Sequence, residues 1–488
     1  MNDSARDAST IFTYSEIKER FDGILGKSFG EIDLNDYFLN SKNKGIAGHI
    51  IEKCVLGYDL NSNPHADILV DGVETEVKTT GMRKIDNHFV AKEPVSITEI
   101  DPKIIITEEF ERSHFWNKVH QMIFVYYFYD YNGPFDVQQY RRFIVQGYQL
   151  RIIPDEDKAV LESDWTIVRD YIRDAQQLDV PESAYPDISH LQLMYTDTAP
   201  KFHIEGSKIK QYARFRFKRA YVNSFMQEYF YGVKRSKLTF FFDKYAQFDE
   251  RCAQLTDKYR GMTVLDLLDY FQICTKTIHK AISERIILKM FDSDAQKIND
   301  IEIFNKLGLI GKSIVQSVEN GRTEDMKLFK IDFEEIRNAN LKFEDSQFYT
   351  YFKEYQLLTI LFQEQTKKDV KFGENRFIGF KRISFSEEFI QTEVRPVWEK
   401  IRKLVNNNKL KEVFLYDNKG NIRLTPKTKL PISAPNFPKS GDNLIFVRGS
   451  GTDKTRLPQE INGIRMLTQY LWIRGRELNE VMNDEKSF

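Results

Sequence analysis

An internal duplication is the feature of this sequence that most restricts its fold. The stretch from Arg142 to Trp165 and the stretch from Arg376 to Trp398 share one order of strand-like and helix-like patterns. Self-similarity of this kind indicates that one structural unit is used twice. We therefore predict a duplicated domain with its boundary near residues 240–255. Two further pairs of segments match in the same order, 25–38 with 260–271 and 190–198 with 443–452.

The pattern inside each half predicts a mixed α/β (α+β) domain with a central sheet flanked by helices. Residues 114–131 contain a long run of β-branched and aromatic side chains, which predicts a buried central strand. A length of 488 residues is ample for two such cores. We predict a first domain at 1–240, a linker at 241–255 and a second domain at 256–488.

Several classes of protein are disfavoured by composition. The three cysteines, Cys54, Cys252 and Cys274, have no paired spacing, so neither a disulfide scaffold nor a zinc ribbon is expected. No run approaches the 18 apolar residues that a membrane span requires, and the N-terminal residues lack the layout of a signal peptide. These features predict a cytoplasmic protein that does not enter a membrane.

Positive charge is concentrated in two places although the formal net charge is only −1. Segment 201–240 carries ten Lys or Arg against two acids, and segment 421–476 carries ten against three. One basic run would be explained as a solvated surface. Two runs at corresponding ends of two repeats favour a polyanionic partner.

The most informative local pattern is a hairpin at residues 63–81. Asp71-Gly72 suits a two-residue type I′ turn, which pairs Val70 with Val73. The same register places Asp67 beside Glu76, with Lys78 on the same face.

Adjacent carboxylates repel each other unless a cation lies between them, and Mg²⁺ prefers oxygen ligands of this type. A metal, an activated water and a nearby ammonium group are what phosphodiester hydrolysis requires. The competing interpretation is an exposed hairpin with Glu–Lys ion pairs across the strands.

These residues resemble the PD-(D/E)XK nuclease motif, and their surroundings resemble its MutH branch. Asp67 followed by Glu76-Val77-Lys78 matches the motif. The stretch KGIAGHIIEKCVLG, residues 44–57, resembles the helix of that branch that carries a further glutamate, here Glu52. Lys118 lies where the branch has another lysine, just before the apolar strand.

The whole chain, over about residues 15–485, is similar to two-domain type II restriction endonucleases of this branch. The resemblance implies that Glu52, Asp67 and Glu76 bind Mg²⁺ and that Lys78 and Lys118 are catalytic. It implies double-stranded DNA as substrate and GATC as the site. The nine-residue step from Asp67 to Glu76 is longer than the expected seven, which leaves open whether Asp67 or Asp71 is the first ligand.

The resemblance and the basic runs together predict DNA contacts near the end of each repeat. Tyr195-Thr196 stands where MutH-like proteins have a stretch that begins with arginine, which leaves the recognised sequence open. The predicted DNA-binding residues are Tyr195, Thr196, Arg214, Arg216, Lys218 and Arg219 in the first half, and Arg448, Arg474 and Arg476 in the second.

The second half is predicted to bind DNA without cutting it. Aligning the repeats puts Ile310 at the place of Glu76 and Leu288 near the place of Glu52, whereas Lys312 matches Lys78. This pattern predicts an effector domain that binds a second, looped DNA site. The chain alone is expected to be a monomer, with a DNA-induced dimer as an option.

Two other functions compete with a restriction endonuclease. One is a DNA-binding regulator or methylation sensor that does not cleave. The other is a strand-nicking endonuclease of mismatch-repair type, which the duplicated domain disfavours.

Overall fold

The chain divides into two compact units in a computed structural model. The first contains Met1–Phe248 together with Asp300–Gly308, and the second contains Asp249–Asn299 together with Leu309–Phe488. Within the described ranges, no helix is both long and apolar enough to cross a membrane. The structure describes residues 10–40, 45–58, 66–85, 88–131, 136–177, 187–205, 208–317, 324–365, 371–417, 419–424, 429, 431–451 and 457–475.

The first unit mixes short helices with strands. A π-helical turn at Ile51–Leu56 continues α3, and 3₁₀ turns occupy Tyr37–Asn40, Phe110–Arg112 and Val137–Arg142. The elements are β1 (Ile11–Phe12), α1 (Tyr14–Asp22), α2 (Phe29–Ile32), α3 (Ile46–Ile50), β2 (Ile68–Val70), β3 (Val73–Ile85), β4 (His88–Ala91), β5 (Val95–Glu99), α4 (Pro102–Ile105), α5 (His114–Val119), β6 (Gln121–Phe128), β7 (Ile144–Ile152), α6 (Asp155–Gln177), β8 (Thr196–Thr198), β9 (His203–Glu205), β10 (Lys208–Gln211), β11 (Arg214–Phe217) and α7 (Arg219–Tyr231).

The central sheet of the first unit has the strand order β1-β2-β3-β6-β7, and β4 also pairs with β3. Strands β3 and β6 run parallel, whereas β2 and β7 run antiparallel to their neighbours β3 and β6. Every residue of β6 from Gln121 to Tyr127 is buried, as expected for a strand paired on both edges. The predicted central strand is therefore confirmed.

A second sheet of the first unit has the order β5-β11-β8. The segment that leads into β8 is held by the buried Asp164 of α6. Its carboxylate accepts hydrogen bonds from the backbone N–H groups of Met194, Tyr195 and Thr196 at 2.6, 2.9 and 2.9 Å, and from the Thr196 hydroxyl at 2.9 Å. One charged side chain therefore satisfies four donors and fixes this segment.

The remaining elements repeat the alternation of helices and strands. A π-helical turn lies at Ile390–Val394, and 3₁₀ turns lie at Ile298–Asp300, Phe343–Asp345 and Phe372–Glu374. The elements are α8 (Tyr245–Tyr259), α9 (Val264–Tyr270), α10 (Ile282–Met290), α11 (Glu302–Lys306), β12 (Leu309–Gln316), β13 (Met326–Lys330), α12 (Phe333–Arg337), α13 (Gln347–Glu354), β14 (Gln356–Gln363), β15 (Arg376–Ile383), α14 (Glu387–Phe389), α15 (Arg395–Asn406), β16 (Glu412–Phe414), β17 (Ser433–Pro435), β18 (Ile445–Gly449), β19 (Gln459–Ile461), β20 (Ile464–Met466) and β21 (Gln469–Ile473).

The second unit repeats the central pairing of the first. Its sheet β12-β14-β15 joins a parallel pair to an antiparallel pair, as β3-β6-β7 does. Glu76 lies opposite the second residue of β6, Met122, and Ile310 lies opposite the second residue of β14, Leu357. The strand pairing thus gives the same match between Glu76 and Ile310 as the sequence repeat.

The two units do not divide at a single point in the chain. Helix α8 covers much of the predicted linker, and α11 returns from the second half to the first unit. In that unit Lys306 of α11 is buried and its Nζ lies 2.5 Å from the buried carboxylate of Asp157. The backbone of Ser236 also exchanges hydrogen bonds with Asp300 and Glu302 at 2.8 and 2.9 Å. The functions of segments 1–240 and 256–488 stay predictions.

Candidate active site

The hairpin formed by β2 and β3 has the predicted register. Val70 pairs with Val73 and Leu69 with Glu74. The turn residues have positive φ angles, 49° at Asp71 and 80° at Gly72, as a type I′ turn requires. The side chain of Asp71 accepts a hydrogen bond from the backbone N–H of Tyr14 at 3.2 Å. Asp71 therefore helps to fix the hairpin.

Asp67 lies beside Glu76, just before the start of β2. Its Oδ2 accepts a hydrogen bond from the backbone N–H of Val77 at 2.9 Å. Because Val77 directly follows Glu76, this bond brings the two carboxylates to one end of the sheet. Of the two aspartates that the sequence left open, the structure brings Asp67 to the cluster.

Two lysines contact the carboxylate of Glu76, which is 2% exposed. Lys78 Nζ lies 2.5 Å from Oε1, and Lys118 Nζ lies 2.9 Å from Oε2 and 3.1 Å from Oε1. Lys118 comes from α5, which Ser113 caps by accepting the backbone N–H of Trp116 at 3.0 Å. The helix and the strand thus bring together residues far apart in the sequence.

Glu52 approaches the same cluster from the π-helical turn that continues α3. A side chain at Gly48 would have its Cβ 3.7 Å from Glu52 Oε1 and 3.8 Å from Thr79 Oγ1. Glu52 Oε1 and the Thr79 hydroxyl of β3 thus both lie beside Gly48, which places the glutamate next to β3. π-Helical turns are uncommon and are found frequently at functional sites. Lys44, the first residue of the matching motif, lies outside the described residues.

The electrostatics of the cluster are those of crowded, buried carboxylates. Burial, followed by the charge of Asp67, raises the pKa of Glu52 to about 7. Burial and the charge of Glu76 raise the pKa of Asp67. Burial alone would also raise the pKa of Glu76, but Lys78 and Lys118 outweigh it and hold that pKa below its ordinary value. Of the three acids, Glu76 is thus the one whose ionised form is favoured.

The donor chemistry fits a hard divalent cation. Carboxylate oxygens are the ligands that Mg²⁺ prefers, and a cation would relieve the repulsion that raises the pKa of Glu52 and Asp67. Among the described residues, no group of three ligating side chains is already gathered as a metal site. The Lys118 ammonium group lies against both oxygens of Glu76. A cation bound at Glu76 would therefore compete with Lys118 for this carboxylate.

Sequence reasoning missed Tyr58, which lies two residues after the π-helical turn. Tyr58 is 5% exposed, and its hydroxyl has no hydrogen-bond partner within the described part of the chain. Burial, followed by the charges of Asp67 and Glu52, raises its pKa. A buried hydroxyl beside carboxylates is an additional polar group at the site. No sequence motif marks it, because its proximity depends on the helix geometry.

Comparisons with known proteins agree with this geometry. Residues 56–164 match the family described as "MutH: DNA mismatch repair enzyme MutH". The chain is also 24% identical, over 511 aligned residues, to "Type II restriction enzyme Sau3AI" from Staphylococcus aureus, and the alignment covers 97% of this chain and 99% of the relative. The chain is a full-length homologue of a type II restriction enzyme.

The MutH-type segment at 56–164 contains Asp67, Glu76, Lys78 and Lys118, whereas Glu52 precedes it. The two matches confirm the predictions of a MutH-like fold and of a restriction-endonuclease homologue. They do not test the role of any single residue. The catalytic assignments therefore stay predictions that rest on the contacts described above.

Two residues of the first unit that are predicted to contact DNA are buried. Tyr195 is 2% exposed and Thr196 is 0% exposed. Tyr195 stacks on Tyr221 with 4.5 Å between ring centroids, and Thr196 is held by Asp164. These side chains pack inside the unit and support the segment, and their contact with DNA stays a prediction.

The basic residues of the same unit make contacts within the protein. Arg214 pairs with Glu99, and Arg216 makes two hydrogen bonds to Asp197, at 2.7 and 2.9 Å. Lys218 donates to the carbonyl of Leu193, and Arg219 donates to that of Lys92 at 3.0 Å. A role for Arg214, Arg216, Lys218 and Arg219 in DNA binding stays a prediction. To contact DNA, each of these side chains would have to bind it while keeping its present partner, or exchange that partner for DNA.

In the second unit, the places that match Glu76 and Glu52 are taken by Ile310 and Leu288. Lys312 Nζ donates to the backbone carbonyls of Lys327 and Leu328 at 2.8 and 3.3 Å. Burial, followed by the charges of Lys327 and Lys280, lowers the pKa of Lys312 to about 8. Leu288 is buried in α10. The lysine therefore ties two sheets together instead of facing an acid.

Two of the predicted DNA-binding residues of the second unit, Arg448 and Arg474, lie in or next to its sheet β13-β21-β18. Arg448 pairs with Asp325 at 2.7 Å and lies 5.1 Å from the Trp472 ring centroid. Arg474 donates to the carbonyl of Ser440 at 2.9 Å. Arg476 lies outside the described residues. Contact of these three with DNA stays a prediction.

Proposed function

We propose that this protein is a Mg²⁺-dependent type II restriction endonuclease that hydrolyses double-stranded DNA. One observation carries the proposal. Glu52, Asp67, Glu76, Lys78 and Lys118 converge from a helix, a hairpin and a second helix onto one end of the central sheet. Carboxylates and ammonium groups in one site are the groups that phosphodiester hydrolysis requires. The homology to a restriction enzyme supports the same reaction.

In this proposal Asp67 and Glu76 hold the cation, and Glu52 joins them directly or through water. The cation supplies charge neutralisation for the phosphate when it is bound. Lys78, which is fixed against Glu76, orients the attacking water. Lys118 contacts the scissile phosphate once it leaves Glu76. Water forms the new P–O bond as the bond to the 3′ oxygen breaks, which leaves a 5′-phosphate and a 3′-hydroxyl.

Two finer assignments also belong to the proposal. The recognised sequence is GATC, which rests on resemblance alone. The second unit binds another copy of the site and activates cleavage, because tethering raises the local concentration of a second DNA segment. Its support is the loss of acids at Ile310 and Leu288 together with a basic terminal segment.

A nicking endonuclease is the second candidate, and the family match to a DNA mismatch repair enzyme favours it. The two candidates differ in their product. A restriction enzyme converts supercoiled plasmid into linear DNA, whereas a nicking enzyme stops at the open circle.

The test compares Glu76→Ala with the wild type on plasmid DNA in Mg²⁺. We expect cleavage to fall at least about 1000-fold, because both lysines lose their partner and the cation loses a ligand. Binding to duplex DNA should be kept or tightened, since one negative charge is removed. Glu162→Ala is the control, because Glu162 is an exposed acid on α6. Unchanged cleavage by Glu76→Ala would rule out the assigned site.

The effector role is tested on plasmids with one or two GATC sites. The full-length enzyme should cut the two-site plasmid faster, and an oligonucleotide that carries the site should accelerate cutting of the one-site plasmid. Equal rates without oligonucleotide rescue would show that the second unit only supports the first.

A further inference from the structure

The second repeat contains an insertion that the first repeat lacks. Between α15 and β18 lie 38 residues, whereas 18 lie between the corresponding elements α6 and β8. The insertion falls just before the strand that corresponds to the predicted DNA-reading segment of the first repeat. It is therefore an element of the second repeat alone, outside the part that the two repeats share.

The described residues of the insertion form a small antiparallel ribbon, which we call the arm (residues 411–417, 419–424, 429 and 431–435). Strand β16 pairs with β17, with Phe414 opposite Ser433. The ribbon continues through a bridge between Tyr416 and Ile422, and Leu415 accepts the backbone N–H of Arg423 at 2.7 Å. The carboxylate of Asp417 accepts the N–H groups of 419 and 421, both at 2.9 Å, so the turn is closed by its own side chain.

The arm carries large apolar side chains on its exposed face. Phe414 and Tyr416 are two residues apart on one strand, and Ile422 lies opposite Tyr416, so the three share a face with Leu424. Their exposed fractions are 50% for Phe414, 59% for Tyr416, 40% for Ile422 and 48% for Leu424. Contiguous apolar surface of this kind marks a binding site rather than an ordinary surface.

The arm also carries an excess of exposed positive charge. Lys411, Lys419, Arg423 and Lys429 are exposed, and Arg423, between Ile422 and Leu424, points away from the apolar face. The two acids among the described arm residues are engaged locally, Glu412 with the Ser433 hydroxyl and Asp417 with the turn. An apolar face on a positively charged arm complements a polyanion. Self-association through the same face would bring two positively charged arms together and is disfavoured by like charge.

We propose that the arm is a docking element for duplex DNA, whose apolar face enters the minor groove while its exposed basic side chains contact the flanking phosphates. Apolar wedges are used in this way by proteins that bend DNA, and basic side chains neutralise the backbone. The inference deepens the proposed function, because it rests on DNA binding by the second unit. It assigns that binding to an element outside the shared repeat.

The test uses the full-length chain in the Glu76→Ala background, so that binding is measured without cleavage. The probe is a GATC duplex labelled at its ends, titrated at several salt concentrations. The double variant Tyr416→Ser/Ile422→Ser should weaken binding about 5- to 30-fold with an unchanged salt slope, because it removes apolar contact only. Lys419→Ala/Arg423→Ala should lower the slope by about 1.8, at about 0.9 per phosphate contact. Leu265→Ser, at another exposed apolar residue, is the control.

The outcomes separate this inference from the function it rests on. Unchanged affinity and slope in both arm variants would overturn the arm proposal, while cleavage by the wild type would leave the nuclease intact. Absence of cleavage by the wild type would count against the nuclease, while the binding titration would still report on the arm. A change in oligomeric state in sedimentation, with unchanged DNA affinity, would assign the face to a second copy of the chain and also overturn the proposal.

Discussion

Replacing Lys306 by methionine tests whether a segment of the second half is a structural part of the first unit. The Nζ of Lys306 lies 2.5 Å from Asp157 and 2.6 Å from Glu302, and the side chains of Lys306 and Asp157 are 7% and 1% exposed. Methionine keeps most of the volume of the side chain but removes its charge. The carboxylate of Asp157 is then left with the Tyr221 hydroxyl at 3.0 Å and Arg151 at 3.3 Å.

The expected cost follows from the burial of this pair. Removing one partner of a buried ion pair costs about 3–5 kcal/mol. Because two partners remain on Asp157, we expect a cost below that range, about 2–3 kcal/mol. A loss of that size accelerates amide exchange in α6 and α7 about 30- to 140-fold, since 1.4 kcal/mol is a factor of ten. Hydrogen–deuterium exchange with mass spectrometry measures it.

Two comparisons make the result decisive. Asp157→Asn combined with Lys306→Met should recover part of the loss, because no unpaired charge is left buried. Lys289→Met should change exchange very little, since Lys289 forms an exposed pair with Asp294 in the second unit. Unaltered exchange in Lys306→Met would refute the conclusion that α11 stabilises the first unit.

Three further predictions concern titration and the segment before β8. Because the pKa of Glu52 is about 7, a cation that binds below pH 7 must displace the proton of this carboxyl group. The affinity for Ca²⁺, measured by calorimetry, should therefore rise about tenfold from pH 6 to pH 8 in the wild type. The Glu52→Gln variant should not show this rise. Asp164→Asn should lower the free energy of unfolding by about 2–3 kcal/mol and accelerate amide hydrogen exchange at residues 194–196, because an amide side chain cannot accept all four hydrogen bonds. An exchange rate equal to that of the wild type at these residues would contradict this prediction. The pKa of Lys312 is lowered from 10.5 to about 8, so this side chain binds fewer protons in the folded state than in the unfolded state. The free energy of unfolding should therefore rise from pH 8 to pH 10.5 more in the wild type than in Lys312→Met. Denaturant titration at several pH values measures this difference.

The sequence predicts those parts of the site that depend on local rules. The positive φ angles of Asp71 and Gly72 set the hairpin register, and that register places Asp67 near Glu76. The apolar run of β6 is equally local, because a central strand whose two faces are covered favours apolar side chains. The proximity of Lys118 to Glu76 has no local signal and was available only through resemblance.

Tertiary packing determines the features of the structure that the sequence could not predict. The resemblance places Tyr195 and Thr196 at the predicted DNA surface, but the buried carboxylate of Asp164 draws that segment into the unit. The return of α11 to the first unit depends on a buried Lys306–Asp157 pair between residues 149 positions apart. Periodicity and turn chemistry carry no information about such pairs.

The central claim is that this chain cuts duplex DNA through the cluster around Glu76. The most direct measurement is incubation of the full-length protein with supercoiled plasmid and Mg²⁺, followed by sequencing of the fragment ends. We expect linear fragments that end at GATC, with 5′-phosphate and 3′-hydroxyl termini, and no products when EDTA replaces Mg²⁺. Open circles alone would identify a nicking enzyme, and plasmid that stays supercoiled would contradict the account.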